Sequence, residues 1–256
     1  SSQPTTQPST QPAKELALDL GNKLALKLEL IPAGKFTMGS PDGEKDRSKD
    51  EGPQREVTIS KAFHMGATEV TQAQYEAVMG KNPSGFKAPQ NPVENVWWND
   101  AVEFCKTLSE KTGKKVRLPT EAQWEYACRA GTRTRFSFGD DDADLRNYAW
   151  YTANSESKTH PVGQKKPNAW GLYDMLGNVW EWCSDYESDS YANAKNVDPT
   201  GPVSGSSRIH RGGGWFHDPR YLRSAYRTAH MPDRRSDAPL GFRVIVELPA
   251  GRAGLK

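Results

Sequence analysis

The sequence predicts an α+β fold with little regular secondary structure, and three observations carry that prediction. Two helices have strong 3.6-residue apolar periodicity. Short alternating runs suited to strands lie towards both ends. Between them the chain is long, glycine-bearing and aromatic, with no period. A content of 8 Trp, 9 Tyr and 22 Gly in 256 residues, at only 35% hydrophobic, suits a globule of packed loops. That length holds one large domain or two small ones. The net charge of +2 supplies no bulk field for nucleic acid or an anionic membrane. No run of about 18 apolar residues is present to span a bilayer.

Taken in order, Ser1–Ala13 repeats Gln-Pro and cannot bury a core, so residues 1–22 are assigned to a low-complexity tether. Such tethers commonly follow an export signal or lipid anchor, which predicts an extracytoplasmic protein, periplasmic or on the cell surface. Residues 23–248 form the domain and 249–256 a C-terminal tail. Leu24–Met38 alternates as two strands around Pro32-Ala33-Gly34, and Ser40–Glu56 is charged enough for a surface loop. Val57–Ile59 and Phe63–Met65 are short strand candidates. Thr71-Gln-Ala-Gln74 is a capping box opening a helix with Tyr75, Val78 and Met79 on one face. Asn99 or Asp100 is the expected cap of the next helix, whose Ala101, Phe104, Cys105 and Leu108 follow i, i+3, i+4, i+7 up to Gly113. Thr120-Glu-Ala-Gln123 caps a third, with Trp124, Ala127 and Cys128 inward and Gly131 as its stop. Strands are predicted again at Arg208–Trp215 and Gly241–Glu247.

The three cysteines, Cys105, Cys128 and Cys183, show no C-x-x-C spacing and sit among apolar residues, so each reads as a buried free thiol.

Gly171–Trp182 (Gly-Leu-Tyr-Asp-Met-Leu-Gly-Asn-Val-Trp-Glu-Trp) fits neither period, yet is too apolar for an exposed loop. Its backbone groups need partners inside the protein. Asp174 and Glu181, with carbonyls between them, are the oxygen donors a hard cation such as calcium takes. Capping or solvation of the two carboxylates is the alternative.

Several motifs occur in one order: Gly34-x-Phe36-x-Met38-Gly39, Glu69-Val70-Thr71-x-x-Gln74-Tyr75, Asn99-Asp100-Ala101, Arg117–Ala127, Gly171–Trp182, Arg211-Gly-Gly-Gly-Trp215 and Gly241-Phe242-Arg243. Together they resemble the formylglycine-generating enzyme, or sulfatase-modifying factor, family over Leu24–Leu248. The resemblance implies an α+β, formylglycine-generating-enzyme-like variant of the C-type lectin fold, low in regular structure and holding structural calcium. It also implies the ligands: Asp174, the carbonyls of Gly177 and Val179, and Glu181, with Asn147 as the candidate for a second site.

The same resemblance exposes a departure. Formylglycine-forming members carry a cysteine pair shortly after the glycine pair, and those thiolates bind copper. This chain reads Gly212-Gly-Gly-Trp-Phe-His-Asp-Pro-Arg-Tyr-Leu222 there, and no cysteine follows Cys183. Copper, and the oxidase chemistry it supports, is therefore not expected. His210, His217 and His230 occupy the region at spacings that match no metal motif, and read as surface polar residues.

Residues 216–240 contain aromatics, two histidines and five arginines but no Lys, Glu or Gln. Aromatic and arginine side chains favour recognition, because they give large contacts with polar tips. Some members of the resembled family are variable proteins of diversity-generating retroelements, which bind partners through this segment. The expectation is a binding module that takes a protein or glycan ligand, not nucleic acid, through Trp215, Phe216, His217, Arg220, Tyr221, Tyr226 and His230. Two other roles stand beside it: an enzyme using non-cysteine ligands, and a structural subunit of a surface assembly. Arg223, Arg227 and Arg243 have a framework alternative, as partners of buried carboxylates.

Overall fold

The computed structural model describes residues 12–233 and 239–249. Most of the assigned tether and tail, residues 1–11 and 250–256, lies outside the described residues.

The elements run β1 (Glu15–Gly21), β2 (Leu24–Ile31), β3 (Gly34–Met38), β4 (Arg55–Ile59), β5 (Phe63–Gly66), α1 (Gln72–Met79), α2 (Trp98–Thr112), β6 (Val116–Arg117), α3 (Glu121–Arg129), β7 (Trp180–Tyr186), β8 (Arg208–Arg211), β9 (Thr228–His230), β10 (Leu240–Gly241) and β11 (Ile245–Glu247). One sheet has the order β1-β2-β5-β11-β6 and a second the order β10-β7-β8-β9, while β3 and β4 pair separately. No helix among the described residues is long and apolar enough to cross a membrane.

Helices α1 and α3 start as their sequence dictates. Thr71 and Thr120 accept from the Gln74 and Gln123 backbone N–H groups, and the glutamine side chains return the bond. Helix α2 departs from expectation: its cap is Trp97 and has no capping side chain, while Asp100 falls in the first turn. There Asp100 favours the helix dipole and reaches Lys81 at 3.4 Å. Gly113 ends α2 in the left-handed conformation, but Ala130 takes that role for α3, one residue before the expected Gly131.

Four other expectations are corrected. Strand β1 forms inside the stretch assigned to the tether, because Leu16, Leu18 and Leu20 alternate against β2. The loop at residues 40–56 is not purely superficial, since Ser40 and Glu51 are fully buried and β4 begins at Arg55. The strand predicted to reach Trp215 stops at Arg211, where Gly212 and Gly213 turn to φ 94° and 78°. The last predicted strand divides into β10 and β11, interrupted at residues 242–244.

Two apolar clusters fill the interior. Trp124, Met65, Leu172 and Met175 belong to one, while Tyr75, Phe104, Trp180, Trp182 and Phe242 belong to the other. All three cysteines are buried and free. Strand β7 contributes to both sides, because successive strand residues face opposite ways. Trp180 and Trp182 lie in the second cluster, whereas Glu181 accepts from Trp124 in the first.

Candidate functional site

Residues 172–182 are almost wholly buried, as an irregular apolar segment requires, although the final three already belong to β7. The loop is tied to the interior by its own backbone. Gly177 N–H donates to the Gly212 carbonyl, Asn178 N–H to Trp150, and Tyr173 N–H to Ala67. Gly177 sits at φ 82°, and a Cβ there would meet the Trp150 carbonyl, so only glycine lets the two backbones come this close.

This loop and its neighbours gather three buried carboxylates around one guanidinium. Arg243 donates from Nε to Glu181 Oε2 and from Nη2 to Oε1, each at 2.7 Å. Trp124 Nε1 adds a third bond, to Oε2 at 2.7 Å, and Arg243 also reaches the carbonyls of Gly66 and Tyr173. Asp174 accepts from Gly163 N–H through Oδ2 at 2.6 Å, but its buried Oδ1 has no protein donor. Glu69 is 1% exposed, and neither of its oxygens has a partner. Burial, then repulsion from Asp174 and Glu181, pushes the Glu69 carboxyl well above its ordinary range. Burial likewise pushes Asp174 up to about 6. One arginine does not neutralise the group, although no set of three or more His, Cys, Asp or Glu side chains among the described residues is arranged to hold a metal ion.

The resemblance-derived ligands thus separate. Asp174, Gly177, Val179 and Glu181 lie on one short buried arc. Asn147 is exposed, with its carbonyl accepting from Lys166 N–H, and no hydrogen bond among the described residues joins it to that arc. Glu69 is the member that sequence reading missed, because nothing local to Glu69-Val-Thr shows where its side chain goes. The one available signal was an acidic residue in an apolar stretch just before a capping box.

On the other face of β7, aromatic rings form a continuous chain. Phe86 meets Trp215 at 5.7 Å, Trp215 meets Phe216 at 5.1 Å, and Phe216 meets His217 at 3.9 Å between ring centres. His217 continues to Tyr221 at 4.9 Å, Tyr221 to Tyr226 at 5.1 Å, and Tyr226 to Trp180 at 6.0 Å. Trp180 closes the chain, with His210 and His217 edge-on at 4.8 and 4.9 Å. Phe86 and Phe216 are its exposed rings, at 38% and 39%. Phe86, from the loop before α2, was not anticipated.

Apart from Arg220 and Asp218 at the rim, the polar tips of this surface are uncharged. His217 Nδ1 accepts from Gly214 N–H at 3.2 Å, which leaves the ring proton on Nε2 as a donor. Burial holds His217 down to about 4 and His210 down to about 3. Burial, followed by the neighbouring Tyr221, raises Tyr226 to about 12. Trp215 Nε1 is buried without a protein acceptor. The histidines therefore differ from the surface polar residues expected, since His210 is only 5% exposed. Arg220 stacks over Tyr221 at 4.7 Å and pairs with Asp218 at the exposed rim. His230 sits on β9 opposite Arg208, outside the ring chain.

Arg223 and Arg227 of the segment take the framework role, as does Arg211 of β8. Arg223 is bidentate to Glu51 and also bonds Glu44. Arg227 is bidentate to Glu121, and Arg211 pairs with Glu125. These fully or nearly buried pairs fasten the 216–230 segment to the loop before β4 and to α3.

Residues 23–248 match the family described as sulfatase-modifying factor enzyme 1-like domain. The formylglycine-generating enzyme of Bos taurus is 33% identical over 288 residues, covering 86% of this chain and 75% of its own. Chaperone protein LppX of Paenibacillus barcinonensis is 34% identical, covering 66% and 74%. Among solved structures, Treponema denticola variable protein 1 superimposes with a TM-score of 0.84 at 33% identity, covering 93% of this chain and all of that one. PvdO from Pseudomonas aeruginosa gives 0.84 at 32% identity, with the same coverage.

Proposed function

The chain belongs to the sulfatase-modifying factor enzyme family and has its formylglycine-generating-enzyme-like variant of the C-type lectin fold, and from that premise we propose a calcium-stabilised, non-oxidase binding module. The observation that carries this reading is the ring chain from Phe86 to Trp180, with uncharged donors at its edges, in the segment where the resemblance puts the oxidase cysteines. Large rings with neutral polar tips suit stacking on sugar faces or on apolar side chains. The ligand is accordingly a glycan or a protein surface without dense charge.

Two further observations support it. The only thiols are the three buried ones, and burial pushes all of them up, Cys128 to about 12. None of the three lies after Gly212, where the resemblance puts the copper-binding pair. Two similar proteins, moreover, carry the names chaperone protein and variable protein, which suit binding roles.

Calcium fits the residues present in part. Asp174 Oδ1 and both Glu69 oxygens are free for a hard cation, and the carbonyls of Gly177 and Val179 lie on the same loop. Glu181 Oε2 already accepts two bonds, so Glu181 contributes through Oε1. The cation would add the positive charge that Arg243 alone does not supply. The location outside the cytoplasm rests on the Gln-Pro composition of residues 1–13.

The test is a combined glycan and peptide array probed in calcium. Selective retention, weakened at least tenfold in a Trp215→Ala/Phe216→Ala variant that still folds, is the expected result. Equal retention of the variant would move the ligand away from this surface, and no retention on either array would count against a binding module.

A further inference from the structure

A second site is built at the other end of β8, and it shares no lining residue with the aromatic surface. A cleft of about 350 Å³ opens between α2, β6 and the start of β8. Trp98, Val102 and Cys105 of α2, with Val116 and Leu118, make most of its wall apolar, and Arg208 stands at its edge. That volume is in the range of a small-molecule pocket. Val102 at the cleft is 38% exposed, on the flank of the buried stripe formed by Ala101, Phe104, Cys105 and Leu108.

Arg208 is held in an unusual way. Its guanidinium lies 3.8 Å from the Trp98 ring centre and 3.3 Å from that of Tyr186, so two aromatic rings fix it. Trp98 is itself fixed, donating from Nε1 to the Cys183 carbonyl at 2.8 Å. Among the described residues the Arg208 side chain makes one hydrogen bond, from Nη1 to the Ser184 carbonyl at 2.6 Å. Its Nε is buried with no acceptor, and no carboxylate lies within 4 Å of it among the described residues. The other two cations of the cleft differ, since Arg117 is paired with Glu247 and Lys106 with Glu103. Burial pushes the guanidinium of half-buried Arg208 below its ordinary range, against the opposing pull of Tyr186 and Asp185, and it has no direct ion pair of the kind the buried arginines make. A framework role explains the stacking and leaves the unpartnered Nε unexplained.

We propose that this cleft binds a small organic acid, its apolar body lying among Trp98, Val102 and Val116 and its carboxylate meeting the free edge of Arg208. The pairing follows from charge complementarity: an apolar slot ends at a cation with no direct ion pair and a free Nε. An arginine immobilised before binding loses little side-chain entropy on accepting a carboxylate. A neutral molecule of the same shape would gain the apolar contacts and forgo the charge-assisted bond.

Indole-3-acetate is the probe, with its neutral analogue tryptophol as comparison. Both are titrated into the full chain by two-dimensional amide NMR. Indole-3-acetate should shift the amides of Cys105, Val116 and Ser184, and should bind at least tenfold more tightly than tryptophol. Arg208→Gln should abolish that preference, and Val102→Trp, which leaves Arg208 intact and fills the cleft from its rim, should block both molecules. Binding with no preference for the acid, an acid preference surviving in Arg208→Gln, or shifts confined to other regions would each overturn the proposal. So would an absence of shifts at millimolar acid in a protein whose spectrum shows it folded. Because the aromatic surface is untouched by both substitutions, array binding retained in these variants separates this site from the first.

Discussion

At the scale of single residues, the protein spends its buried charge on position. Glu181 is the clearest case, since its carboxylate takes three bonds from Arg243 and Trp124 at 1% exposure. Removing one partner of such a pair strands the other in a low-dielectric interior. Glu181→Gln should therefore cost about 3–5 kcal/mol in urea unfolding, and a loss below about 1 kcal/mol would show that Arg243 finds its compensation elsewhere. His217 supplies a pH prediction. Its folded value of about 4 lies below the ordinary 6.5, so its contribution to stability is complete above pH 6.5 and is lost as pH falls towards 4. His217→Gln should then lose less stability than the parent between pH 7 and pH 4.5. The difference should be on the order of 1–2 kcal/mol after allowing for partial exposure, read from melting curves of both proteins. A parallel fall in the two curves would mean that His217 titrates normally.

At the scale of elements, legibility in the sequence followed locality. Helices α1 and α3 were readable because their capping boxes and apolar faces span a few residues. The Leu16-Leu18-Leu20 alternation of β1 was equally local, but the Gln-Pro stretch before it drew the tether boundary too far. What could not be read was non-local. Arg243 meets Glu181 across 62 positions and Arg223 meets Glu51 across 172, and no spacing rule reaches that far. The Gly171–Trp182 stretch was legible as a buried loop, whereas the places of Glu69 beside Asp174 and of Phe86 beside Trp215 come only from tertiary packing. The loop's dependence on close backbone approach is testable at Gly177. Gly177→Ala places a Cβ against the Trp150 carbonyl at a positive φ and should destabilise by about 2–4 kcal/mol. An unchanged melting temperature would show that the loop does not need this contact.

At the scale of the whole molecule, β7 joins two side-chain groups that face opposite ways. Glu181 belongs to the carboxylate cluster and its neighbour Trp180 to the aromatic surface, so whatever settles one side orders the other. Calcium bound only by the native state stabilises by mass action. Excess calcium should raise the melting temperature by several degrees over a chelated sample, since a gain of about 1 kcal/mol moves a domain of this size by about 2–4 °C. Asp174→Asn should remove most of the difference. Identical curves for the parent with and without calcium would assign the free oxygens of Glu69 and Asp174 to protons instead. The central claim, that this member of the family binds without oxidising, meets its most direct test in a copper assay. The protein is loaded with copper(I) and incubated in air with a cysteine-bearing sulfatase peptide, beside the bovine formylglycine-generating enzyme as control. Mass spectrometry should show the peptide cysteine unchanged here and converted by the control. Copper-dependent conversion to formylglycine by this chain would contradict the account.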